Sequence, residues 1–246
     1  MSYNYYIPAV YSNDSVDPQY QRRGIGITTG HHNLEDIDTL SCSWWYAWGT
    51  PIQYLSNPKF VPMSYSGEPV AVPTGFSKYL LVFNEPDLPG DGFISPSDAL
   101  SLLKKLQQKN EFAKLIVGGL SHWGTEWLQE FVSISGDWKP YGWHVHGYID
   151  QGVTLDFLKN WWFSNVQKMC SGEIWVSEFA DVTENGSQGK EYYDWIKDQL
   201  WIKRFAWFAN RMNSSDSFYP SGWKFNPRLV DDLGNMTSTG VMYTTL

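Results

Sequence analysis

The chain is short of charge, and the charge it carries has the wrong sign for polyanions. Only 18% of its 246 residues are Asp, Glu, Lys or Arg, and 18 basic against 26 acidic residues leave a net charge of −8. Nucleic acids and anionic membranes are held chiefly by neutralising phosphates, so neither is an expected partner. With 42% hydrophobic residues, the composition also excludes a disordered chain. No apolar run approaches the roughly 18 residues of a membrane span; the most apolar stretch lies around Leu80 to Phe83. Two cysteines, Cys42 and Cys170, allow one disulfide at most, and a free pair reads equally well. Met1 to Val10 lacks the basic start and apolar core of a secretory leader. Four glycosylation sequons, at Asn13, Asn185, Asn213 and Asn235, nonetheless point to a secreted protein.

Several motifs are missing as well. His31-His32 and the His144/His146 pair have no cysteine or acid at zinc spacing, so no metal is expected. Gly24-Ile25-Gly26 does not continue into a dinucleotide fingerprint, and Gly119-Leu120-Ser121 does not continue into a nucleophile elbow. No organic cofactor is expected either.

Aromatic residues are abundant. Trp 14, Tyr 15 and Phe 13 make up 17% of the chain. Large rings offer flat apolar faces with a polar edge, which suits the C–H faces of pyranose sugars. A Trp-rich core would account for the same composition.

Residues 1–23 contain Pro8, Pro18 and several tyrosines without periodicity, and read as an N-terminal arm packed on the domain that follows. From residue 24 to 246 a rhythm sets in. Short runs, nearly continuous in hydrophobicity, recur at Gly24–Thr28, Ser43–Trp48, Phe60–Tyr65, Tyr79–Glu85, Leu115–Gly119, Gly142–Tyr148, Ile174–Ala180 and Phe205–Ala209. Such runs are what strands buried on both faces look like. Segments of helical spacing lie between them: Ser97–Lys109 after a Ser95-Pro96 start, Thr125–Val132, Thr154–Met169 capped by Thr154, and Lys190–Lys203. The connections after the second and third strands have room for only a turn or two. Eight alternating units point to one compact α/β domain, a (β/α)8 TIM barrel with some short or degenerate helices.

In such a barrel, polar groups at the C-terminal strand ends converge on one face. The fourth strand ends in Asn84-Glu85-Pro86-Asp87 and the seventh in Ser177-Glu178-Phe179-Ala180-Asp181. An ionised glutamate directly after a buried strand is costly unless paired or used. The 93 residues from Glu85 to Glu178 are three units of about 31, which sets the two side chains across the barrel mouth from each other. Two carboxylates about 5 Å apart form the apparatus of a retaining glycosidase. Asp87 and Asp181, just beyond them, read as solvated loop acids or as groups that tune the glutamates.

Asn84-Glu85-Pro86 and Glu178-Phe179 resemble the retaining glycosidase clan with (β/α)8 barrels. Together with Trp44-Trp45-Tyr46-Ala47-Trp48, Phe60-Val61-Pro62-Met63, Val145-His146-Gly147-Tyr148 and Trp175-Val176-Ser177-Glu178, they are similar in order and spacing to glycoside hydrolase family 128, whose members are β-1,3-glucanases. The resemblance runs from about Gly24 to Tyr243. It implies Glu85 as acid/base, Glu178 as nucleophile, and Asn84 as partner of the 2-hydroxyl in the −1 subsite. His146 and Tyr148 would surround the nucleophile. Trp45, Trp48 and Trp207, with Tyr65, would contact the sugar. The chain departs from the family at Thr28-Thr29-Gly30-His31-His32, at Ala47 and at Gly147, positions expected on the glycone side. The resemblance thus implies a monomeric, endo-acting, retaining β-1,3-glucanase. Exo action on short oligosaccharides, or a barrel that binds β-glucan without cutting it, are the open alternatives.

Overall fold

Short runs apolar on both faces become strands because only a sheet covered on each side hides them. The computed structural model describes residues 21–245 except 29, 69, 74, 76 and 91. Its elements are β1 (Arg23–Gly26), α1 (Glu35–Thr39), β2 (Trp44–Tyr46), a 3-10 turn (Ile52–Tyr54), β3 (Met63–Ser64), β4 (Tyr79–Val82), α2 (Pro96–Lys109), β5 (Lys114–Leu120), α3 (Thr125–Ser135), β6 (Gly142–Ile149), α4 (Leu155–Phe157), a π-turn (Leu158–Trp162), α5 (Phe163–Met169), β7 (Glu173–Asp181), α6 (Gly189–Asp198), β8 (Ile202–Trp207) and α7 (Ser238–Thr244). The expected arm lies almost wholly outside the described residues, and its last residue, Arg23, already opens β1.

The strands run β2-β1-β8-β7-β6-β5-β4-β3, every pairing parallel. A single bridge, Trp45 to Phe60, joins β2 to the segment before β3. The sheet thereby closes into a (β/α)8 barrel. β3 keeps only two of the six residues expected: Trp45 N–H to Lys59 O at 3.0 Å and Val61 N–H to Trp45 O at 2.9 Å form the bridge, and Pro62 has no N–H to extend it.

Side chains alternate across a strand, so the barrel has two cores. Trp44, Tyr46, Val61, Met63, Leu81, Ile116, Trp175 and Ala206 fill the interior. Leu80, Val82, Val117, Val145, Val176 and Phe179 point outward against the helices. At the floor the Arg204 guanidinium lies 4.6 Å from the Trp175 ring and 4.8 Å from that of Tyr79.

The capping residues read from the sequence are in place. Ser95 Oγ accepts from Asp98 N–H at 3.2 Å, with Pro96 opening α2. Thr154 Oγ1 accepts from Phe157 N–H at 3.1 Å. One helix is shorter than expected. α6 stops at Asp198, because Arg22 caps its end by donating to Lys197 O at 2.9 Å and Gln199 O at 2.7 Å. Leu200, beyond the helix end, is 78% exposed. Both cysteines are free thiols.

Candidate active site

The two glutamates reach one cavity because both strand ends break the regular pleat. After β4 the backbone takes positive φ at Phe83 (73°) and Glu85 (46°), a conformation costly for residues with a Cβ. The facing β5 makes room with Gly118 and Gly119, and Glu85 N–H donates to Gly119 O at 2.9 Å. A Cβ on Gly119 would stand 3.0 Å from Phe83 O and 2.9 Å from His144 Cε1. On β7 the register with β6 slips, pairing Val145 with Val176 but His146 with Glu178. This bulge turns two consecutive side chains, Ser177 and Glu178, to the inside, the usual effect of a bulge at a barrel rim.

His146 joins the pair. Its Nδ1 lies 3.0 Å from Glu85 Oε1 and its Nε2 3.4 Å from Glu178 Oε1. The ring is fully buried, and its backbone carbonyl accepts from Trp162 Nε1 at 2.8 Å. Glu178 is 5% exposed. Its Oε1 accepts from Tyr46 Oη at 3.2 Å and its Oε2 from Tyr148 Oη at 2.5 Å. Burial raises the Glu178 carboxyl above its ordinary range and the Glu85 charge adds to this, while His146 and the two phenols oppose it. Burial beside Glu178 also holds both phenols protonated, well above their ordinary value.

Below this layer His144 Nε2 donates to Val82 O at 3.1 Å, so Nδ1 is left to accept from Ser177 Oγ at 2.9 Å. Burial, aided by the nearby His146, pushes this imidazole down to about 3. The His144/His146 pair is therefore a hydrogen-bonded support. His31 bonds Asp216 at 2.9 Å and His32 stacks on Tyr54. Among the described residues no cluster of His, Cys, Asp or Glu forms a metal site.

The cavity holds about 580 Å³. Asn84, Trp48 and Tyr65 line it beside Glu85, with Tyr148 and Glu178 opposite. Trp48 Nε1 donates to Asn84 Oδ1 at 3.0 Å, which turns the amide Nδ2 into the group available to donate to a ligand. These expected residues are brought together. Trp45 and Trp207 are not. Trp45 is fully buried outside the barrel wall, its ring 4.5 Å from that of Phe60 and 5.2 Å from that of Tyr54. Trp207 packs 5.0 Å from the Phe179 ring and donates to Pro227 O at 2.8 Å. Each sits one residue out of phase with an inward ring, Tyr46 and Phe208 respectively.

Gly147 and Ala47 also correct the expectation. A Cβ at Gly147 would meet Tyr192 Oη at 2.4 Å and Phe163 at 2.9 Å, so the position faces the helices. Ala47 belongs to the same outer core. Neither lines the glycone side. The two strand-end aspartates are anchored acids, not solvated ones. Asp181 is fully buried, accepting from Thr183 N–H at 3.0 Å and Gln188 N–H at 2.7 Å. Asp87 accepts from Ser121 N–H at 3.0 Å and from the Ser121 hydroxyl.

Residues not foreseen complete the cavity: Tyr46, His122, Trp123, Asp150, Phe208 and Trp223. Tyr46 could have been found from the alternation Trp44, Tyr46, Trp48. Trp223 comes from the loop after β8, where no pattern announces it.

A parallel barrel that brings two glutamates together over one imidazole has an arrangement suited to glycoside hydrolysis. The family described as glycosyl hydrolase catalytic core matches residues 24–243, and the chain belongs to it. The subgroup I family 128 endo-β-1,3-glucanase of Amycolatopsis mediterranei, in complex with laminarihexaose, superposes with a TM-score of 0.71 at 20% identity, over 91% of this chain and 98% of the other. The curdlan-specific exo-β-1,3-glucanase of subgroup III from Blastomyces gilchristii, in complex with glucose, gives 0.68 at 24% identity, over 94% and 100%. Alkali-sensitive linkage protein 1 of Schizosaccharomyces pombe (strain 972 / ATCC 24843) is 25% identical over 232 residues, 82% of this chain. The chain spans 40% of that protein's length.

Proposed function

We propose that the protein is a retaining β-1,3-glucanase, endo-acting, monomeric and secreted. The observation that carries this reading is the placement of Glu85 and Glu178 on opposite nitrogens of His146 within one cavity. Glu178, held by two phenols, attacks the anomeric carbon. Glu85 protonates the glycosidic oxygen, then takes a proton from water as that water attacks the glycosyl-enzyme. Asn84 Nδ2 donates to the sugar bound beside Trp48. The β-1,3-glucan substrate rests on the solved neighbours, which hold laminari-oligosaccharides or glucose. Secretion rests on the sequons, of which Asn185 and Asn235 are exposed.

The test is the course of laminarin digestion. Random internal scission at early times, with β-configured new reducing ends seen by proton NMR before mutarotation, is the expected result. Release of a single short product would replace endo with exo action, a reading the Blastomyces neighbour favours. Initial α-configured product would overturn retention. Binding without any cleavage would leave only a glucan-holding barrel.

A further inference from the structure

Beyond the cavity, at the end formed by β5 and β6, the rings continue in an unbroken file. Trp123 follows His122, with ring centroids 4.9 Å apart. Phe157 lies 5.7 Å from Trp123, and Trp161 stacks on Phe157 at 5.0 Å and 24°. The file starts inside the cavity, which His122 and Trp123 both line, and ends on the outer surface. Trp123 is 56% and Trp161 43% exposed. Aromatic rings that pack on one another yet stay open to water are not a core; a contiguous exposed patch of this kind marks a contact surface.

The backbone is shaped to present it. The π-turn Leu158–Trp162 interrupts the helix between α4 and α5. Within it Trp161 faces outward over Phe157, while Trp162 is fully buried and bonds the His146 carbonyl. One turn thus ties the outer ring to the strand that carries the bridging imidazole. π-Turns inside helices recur at functional positions.

A second, polar observation points the same way. His122 is 5% exposed, and both its ring nitrogens are buried without a hydrogen-bond partner. The nearest acid oxygen, Asp150 Oδ2, is 3.9 Å from Nε2, beyond hydrogen-bond length. Buried unsatisfied nitrogens are costly. The His122 ring lines the cavity while its nitrogens are turned from open solvent, and a turn of the ring would bring one of them to a ligand hydroxyl.

We propose that a glucan chain bound at the glutamate pair leaves the cavity at its β5–β6 end, with one sugar hydroxyl bonded by His122 and later sugars lying on Trp123, Phe157 and Trp161. The inference rests on the glucanase reading and extends it to an outer binding track. Substrates that reach Trp161 gain contacts that short oligosaccharides do not, so the enzyme favours long chains.

The experiment compares kcat/KM on laminarin with kcat/KM on laminaritriose for the full chain and for Trp161→Ala and Trp161→Phe. In Trp161→Ala the laminarin-to-triose ratio is expected to fall by about tenfold, equivalent to about 1.4 kcal/mol. Trp161→Phe keeps a stacking face and should restore most of the ratio. An unchanged ratio in Trp161→Ala overturns the proposal. So does a parallel fall on both substrates, which marks damage to the fold. If the unaltered chain cleaves neither substrate, the glucanase reading fails. The track is then decided by retention on insoluble curdlan. Loss of retention in Trp161→Ala alone sustains it; equal retention, or none in the unaltered chain, overturns it.

Discussion

Tyr148 donates its phenol proton to Glu178 Oε2 across 2.5 Å, and both residues line the same cavity. A hydrogen bond to the ionised form favours that form, so this phenol lowers the Glu178 pKa against the burial that raises it. Without the bond Glu178 holds its proton to higher pH. The acidic limb of kcat/KM in Tyr148→Phe is therefore expected to move upward by about one pH unit, since a bond to a charged group contributes about 1.5–3 kcal/mol and one unit is about 1.4 kcal/mol. A pH–rate profile on laminarin checks this; an unmoved limb would remove Glu178 from the ionisation that controls it.

Stability should depend on the same group. The folded chain holds the Glu178 proton more tightly than the unfolded chain, whose carboxyl titrates near 4.5. The unfolded state therefore loses its proton first as pH rises, and the folded state loses stability up to its own higher pKa. Glu178→Gln removes that loss. Its Tm at pH 7 should exceed that of the unaltered chain. The difference should shrink towards zero below pH 4.5. Calorimetry at pH 4 and pH 7 compares the two.

Azide separates the two carboxylate roles. Glu85→Ala should lose about 10²–10⁴ in turnover of laminarin; on an aryl glycoside whose phenolate leaves without protonation, azide should raise turnover with formation of the β-glycosyl azide. Glu178→Ala should yield the α-azide from a substrate with a good leaving group. Exchange of the two outcomes would exchange the assignments.

How much of this could be read from the chain differs by residue. Ser95, Thr154 and the eight apolar runs act locally, through caps and two-sided burial, so the barrel and most of its elements were visible. Glu85 and Glu178 were visible because their spacing reflects a repeating unit. The choice among tryptophans was not. Trp45 and Trp48 look alike in sequence, yet strand phase sends one into the outer core and the other to Asn84. Phe208 rather than Trp207 enters the cavity for the same reason. The bulge at Ser177 depends on pairing with β6 and leaves no local sign. The early end of α6 depends on Arg22, far away in the chain.

The Gly119 contact gives a further test of how the strand ends are held. Alanine there would set a Cβ against backbone at 3.0 Å, at φ 58°. A strained position of this kind costs about 1–3 kcal/mol, and a Tm lower by at least about 2 °C is expected in thermal unfolding. Because Gly119 O accepts the Glu85 amide, kcat should fall too, with less change in KM.

Among the described residues, buried side chains fill the barrel interior, and the Arg204 guanidinium stacks on Trp175 beneath them. Under the double displacement proposed above, the water that frees the glycosyl-enzyme enters by the open side of the cavity, through which the leaving sugar also departs. A second sugar can use that side as well. Transglycosylation should therefore compete with hydrolysis as the concentration of glucan rises, and the shared opening would make the order of departure and entry part of the chemistry.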